Sequence, residues 1–135
     1  MNNIIISRGV RPLRNGKISA KSYPYWDDLI ALLKDYCVLE INELPLIELE
    51  PTIRNSLVVI CPDSFIQHYC WSINKQAIVL WGQSDPLIFG HKENINLLKD
   101  RKYLRPNQFE LWEDVPYKTE AFVAPQDIYL ATKRL

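Results

Sequence analysis

Two uninterrupted apolar runs, "LVVIC" (57–61) and "AIVLW" (77–81), constrain the fold more than any other part of the chain. Neither alternates polar with apolar residues, so both read as strands buried on both faces, as the central strands of a parallel sheet are. Between them Phe65, Ile66, Tyr69, Cys70 and Ile73 recur at helical spacing. That spacing predicts one broad apolar stripe on a helix of about three turns. Strand, helix and strand with short connections make a βαβ unit, whose crossover is right-handed.

The flanking sequence extends the same alternation. "NIIIS" (3–7) and "CVLEI" (37–41) are short β-rich runs. "YWDDLIALLKDY" (25–36) places Trp26, Leu29, Ile30, Leu33 and Tyr36 on one helical face, with Asp27 and Asp28 in the first turn, where the helix dipole favours acids. "LPLIELEPTIRNS" (44–56) predicts a short helical stretch broken or restarted at Pro51. "PQDIYLATKRL" (125–135) predicts a closing helix with Pro125 near its start. The segments "NINLLKD", "QFELWED" and "AFVAP" carry no clear period. The chain of 135 residues is long enough to bury its own core. The expected fold is therefore α/β: one Rossmann-like domain over residues 1–135, with a mainly parallel sheet and helices on both faces.

Composition excludes several classes. No apolar run reaches the roughly eighteen residues of a membrane span. The first residues lack a basic region and a cleavage-like segment, so no signal peptide is expected. Cys37, Cys61 and Cys70 form no CxxC pair, and a reducing cytoplasm is the expected setting. The formal net charge is zero, which argues against a nucleic-acid partner. The charge is unevenly spread, however: Arg8, Arg11, Arg14, Lys17 and Lys21 occur before the first acid. A positive segment on an otherwise acidic chain is either a solvated loop or one wall of an anion site. "RGVRPLRNGKISAKSYP" (8–24) is also a long Gly- and Pro-containing connection, and such loops are commonly functional or disordered.

The polar residues at the strand ends sharpen that choice. Ser64 to Gln67 fits the S-x-x-Q capping box, which would start a helix just beyond the carboxyl end of a central strand. Open α/β sheets bind ligands in that crevice, and a helix N-terminus there favours an anion. His68 follows Ser64 by one turn. Gly82, Gln83, Ser84 and Asp85 follow the next strand, where Gly82 permits a sharp turn and close approach of a ligand. The plainer alternative is that Ser64 only caps, His68 has a local partner and Gly82 only turns the chain. His91 reads as a surface residue, and Trp71, Trp81 and Tyr69 as core. Tyr23 and Trp26 pack or stack on a base. Asn42 and Glu43, after the second strand, are either solvated or near a ribose.

These residues, in this order, resemble the C-terminal half of heptosyltransferase-like glycosyltransferases (family nine, GT-B fold). That family has Asp-Ser/Thr-Gly-x-x-His at a helix start, then a hydrophobic strand and Gly-x-[ST]-x-Pro. These positions map onto Asp63, Ser64, Phe65, His68, Gly82, Ser84 and Pro86 here. Its Lys-x-Trp-Pro is similar to Lys21-Ser22-Tyr23-Pro24. The resemblance implies a nucleotide-sugar donor, often an ADP-sugar, as substrate, with no metal and no other cofactor. Lys21 would contact the donor phosphates. Asp63, Ser64 and Gln67 would hold the phosphate or sugar end, with His68, Gly82 and Ser84 lining the site.

Phe65 stands where the family has glycine, and the half that carries the family's catalytic aspartate is not in this sequence. No catalytic residue is therefore assigned. The expected function is a donor-binding domain that transfers a hexosyl or heptosyl group only with an acceptor-domain protein or as a homo-oligomer. The alternative is a non-catalytic interaction module that keeps the fold without the donor site. A phosphatase or P-loop enzyme has no support, since neither Cys-x5-Arg nor Gly-x4-Gly-Lys occurs.

Overall fold

The computed structural model describes residues 2–42 and 44–135. Glu43 lies outside them. Five strands form one sheet: β1 (Asn3–Ile6), β2 (Cys37–Glu40), β3 (Val58–Pro62), β4 (Ala77–Trp81) and β5 (Ile95–Leu98). Every pairing is parallel, and the order is β2-β1-β3-β4-β5. The helices are α1 (Trp26–Leu32), α2 (Leu46–Arg54), α3 (Phe65–Ser72), α4 (Pro86–Phe89) and α5 (Pro125–Lys133). Single 3-10 turns occur at Arg101–Tyr103, Trp112–Asp114 and Thr119–Ala121. The chain is thus a single Rossmann-like α/β domain.

The two apolar runs are explained by the two faces of the sheet. Successive strand side chains point to opposite sides. Ile4, Ile6, Val58, Ile60, Ile78 and Leu80 face one layer with α1 and α5, through Leu29, Leu33 and Ile128. Ile5, Val59, Cys61, Val79 and Trp81 face the other with α2 and α3, through Leu49, Ile53 and Cys70. Every residue of β3 and β4 is buried. Each large aliphatic side chain so buried favours the fold by about 2 kcal/mol over its exposed form. A polar residue at any of these positions would be stranded between two apolar layers.

Several local expectations change. Pro51 lies inside α2 and does not end it. The exposed Pro51 ring forfeits only the bond to the carbonyl of Ile47, and Ile47 is itself in solvent. Helix α3 has eight residues, nearer two turns than three, and Phe65 is 60 % exposed instead of joining the stripe. "INLL" is the edge strand β5, half-buried throughout, which is why it showed neither a two-fold nor a helical period. No helix among the described residues is long and apolar enough to cross a membrane.

The strand order positions the site. From β1 the chain crosses to β2 on one side, and from β3 it proceeds to β4 and β5 on the other. Connections therefore leave β1 and β3 in opposite directions, opening a crevice beyond their carboxyl ends.

Candidate functional site

A cleft of about 870 Å³ occupies that crevice. Its floor is Ser7 and Gly9 after β1, Asn42 after β2, and Asp63 and Ser64 after β3. Phe65 and His68 of α3 form one wall, and Arg11, Arg14 and Lys21 of the first loop form another. Residues Glu110, Leu111, Trp112 and Glu113 close it from above.

Asp63 is the hub, only 7 % exposed. It accepts from Gln67 Nε2 at 2.7 Å and from Ser84 Oγ at 3.0 Å, and Lys21 Nζ lies 3.2 Å from Oδ2. Three donors, from the first loop, from α3 and from the loop after β4, thus converge on one carboxylate and offset its desolvation. The expected capping box does not form. Ser64 Oγ donates to the carbonyl of Pro62 at 3.3 Å, and no side chain caps α3. Gln67 Nε2 donates to the charged Asp63, a charge-assisted bond that turns the side chain toward the carboxylate. Its buried Oε1, which the capping box would pair with the N–H of Ser64, has no partner. The first-turn N–H groups of α3 are left with no side-chain acceptor, at the positive end of the helix dipole.

The roof was not expected from the sequence. The Arg105 guanidinium lies 3.5 Å from the centre of the Trp112 ring. It donates to the carbonyls of Gln108 and Glu110 at 2.7 Å and of Leu111 at 3.2 Å. Gln108 in turn donates to the carbonyl of Gln83 at 2.9 Å and accepts from the N–H of Asp85 at 2.8 Å, tying the roof to the end of β4. Lys21 Nζ is 5.0 Å from the centre of the same indole, so Trp112 borders the cation that Asp63 holds. Apart from the single 3-10 turn at Trp112–Asp114 these residues lie in irregular backbone, and the only sequence signal was an isolated tryptophan flanked by acids.

The remaining expected residues divide clearly. Lys21, Asp63, Ser64 and His68 line the cleft. Gln67 and Ser84 stand behind its wall, buried and bonded to Asp63. Gly82 lies elsewhere: a Cβ built there would come 2.5 Å from Cζ of Phe122, so close packing and not ligand approach requires glycine. Tyr23 and Trp26 are buried, edge-on to each other at 5.2 Å, and the Tyr23 hydroxyl donates to the carbonyl of Val123. They belong to the core and stack on no base. Trp81 is fully buried, as expected, and donates to Asn96 Oδ1 at 2.9 Å. Trp71 is instead 46 % exposed and stacks on His91 at 4.4 Å. His91 is therefore no isolated surface residue: its Nε2 lies 2.8 Å from His68 Nδ1.

Among the described residues the lining carries three cations, Arg11, Arg14 and Lys21, against three acids, Asp63, Glu110 and Glu113. Only loose pairing joins Arg14 to Glu113, at 4.0 Å. No group of three or more His, Cys, Asp or Glu side chains suited to a metal occurs among the described residues. No family model, no curated protein and no solved structure matches the chain, so the heptosyltransferase-like resemblance rests on the quoted residues alone.

Proposed function

We propose that the cleft binds the diphosphate of a nucleotide-sugar, an ADP-sugar being the first candidate, as the donor-binding domain of a glycosyltransferase-like protein. One observation carries this reading: the Lys21 ammonium reaches the residue next to the uncapped N-terminus of α3, at the sheet's switch point. A lysine and a helix N-terminus together offset the charge of a diphosphate. The volume falls within the range of about 300–1,000 Å³ usual for small-molecule sites. In transfer, the same groups would stabilise the departing nucleoside diphosphate by fixed positive charge. Asp63 is unsuited to be the base, since three donors already hold its carboxylate. The base and the acceptor site would come from a partner protein or a second copy.

Calorimetry with ADP-, GDP-, UDP- and CMP-sugars tests the reading. At least one sugar nucleotide is expected to bind, with Lys21→Ala weakening it about tenfold or more, the scale of one lost charge-assisted contact. No heat from any of them at millimolar ligand would sink it.

A second reading, a non-catalytic interaction module, is favoured by Phe65, 60 % exposed at the cleft wall where the family has glycine. Under it, a Lys21→Ala/His68→Ala double variant keeps the protein's biological activity; under the first reading that activity is lost.

A further inference from the structure

We infer that Asp63 is a specificity-determining residue that sets the cleft against bare diphosphates, because it competes with the ligand for Lys21. The inference rests on the donor-site reading and adds a selectivity to it.

Among the described residues Asp63 is the only buried acid of the cleft lining, and it lies 3.2 Å from the lysine that would meet a phosphate. Gln67 and Ser84 occupy one oxygen each and come from inside the wall, so they anchor the carboxylate whatever Lys21 does. An anion that recruits Lys21 must therefore draw it from a fixed negative group and then sit beside that group. A carboxylate offers about four lone-pair positions, and the departure of Lys21 frees one of them toward the cleft. A diphosphate ester bearing hydroxyls can donate into that freed position. Inorganic pyrophosphate, with denser charge and without the sugar hydroxyls, meets it chiefly as a like charge. The balance of three acids against three cations in the lining points the same way: the site does not accumulate positive charge for a polyanion.

Asp63→Asn is close to isosteric and keeps the anchors, since its carbonyl accepts from Gln67 and its amide donates to the Ser84 hydroxyl. Calorimetry is made with inorganic pyrophosphate and with ADP-glucose, on wild type, Asp63→Asn, Lys21→Gln and the double variant. Melting temperatures establish that each is folded. Asp63→Asn is expected to bind pyrophosphate roughly tenfold more tightly than wild type, the scale of removing one like charge a few ångströms away in a partly solvated site. It is expected to gain nothing on ADP-glucose, and the pyrophosphate gain vanishes in the double variant. A folded Asp63→Asn that binds pyrophosphate no better than wild type overturns the inference, while ADP-glucose binding by wild type leaves the donor-site reading standing. Pyrophosphate binding by Asp63→Asn alone supports the inference. Silence of every protein toward both probes overturns the inference, and the donor-site reading falls with it when GDP-, UDP- and CMP-sugars are silent as well.

Discussion

His68 Nδ1 and His91 Nε2 lie 2.8 Å apart, so one hydrogen bond joins α3 to the segment leading into β5. One ring donates and the other accepts, an arrangement lost when both are protonated. Burial first, then the proximity of His91, holds the His68 pKa below its ordinary value of 6.5; Lys21 acts in the same sense and Asp63 opposes them.

The pair predicts a definite acid dependence. Unfolded His68 takes up a proton near its ordinary value, and folded His68 does so only at lower pH. In that window the unfolded state binds more protons, so stability declines as the pH falls from 6.5 and levels off below the folded pKa. Thermal melts from about pH 7.5 to about pH 5 are expected to show the decline. His91→Gln should flatten it by removing the like charge. Identical slopes in the two proteins would remove the pair from the explanation.

Gly82→Ala should destabilise the domain by about 1–3 kcal/mol, the usual cost of overpacking a core. The added methyl meets three atoms of the Phe122 ring within 2.9 Å, and that ring is only 2 % exposed, with little room to swing away. Urea denaturation measures the loss, and Phe122→Leu in the same chain should recover part of it. A fully stable Gly82→Ala protein would show that the ring yields freely.

Arg105 should hold the roof without holding the sheet. Replacing it by Ala strands three carbonyl acceptors and uncovers Trp112. Hydrogen exchange is expected to quicken across residues 105–113 while β3 and β4 stay protected. Lys at this position should not restore protection, because an ammonium lacks the planar fork that reaches several carbonyls and lies flat on an indole. Uniform acceleration over the whole chain would instead mean that Arg105 supports the global fold.

The Arg101 guanidinium grips Asp85 with two hydrogen bonds, at 2.7 and 3.1 Å, and holds its carboxyl below the ordinary 3.8. A depressed carboxyl stabilises the fold above its unfolded pKa, and that contribution disappears as the pH falls through the folded value. Arg101→Gln should therefore lower the melting temperature at neutral pH, and the gap from wild type should close in strong acid. A gap that persists below about pH 2 would assign the loss to packing.

The strands and the switch-point crevice were legible because runs such as "LVVIC" admit only one environment, a sheet covered on both sides. The meeting of Lys21 with the Asp63 region was expected from the family resemblance, and the strand order accounts for it, since the loops after β1 and β3 share an edge. Side-chain choices were less legible. Ser64 and Gln67 have the right identities and spacing for a capping box, yet the charge on Asp63 takes Gln67 instead. The Arg105–Trp112 roof has no period to detect, being built from irregular backbone and one 3-10 turn. His91 could not be matched to His68 before the connection through α4 and β5 was known.

The cleft joins segments that lie far apart along the chain. Lys21 precedes almost every strand, Trp112 follows all of them, and Tyr23 is pinned to Val123, 100 residues further on. A nascent chain emerging from the ribosome can pair its early strands but has no finished cavity until that late stretch arrives. The cleft is therefore finished only once that stretch has packed, and its closure reports that the strands threaded between Lys21 and Trp112 are in place.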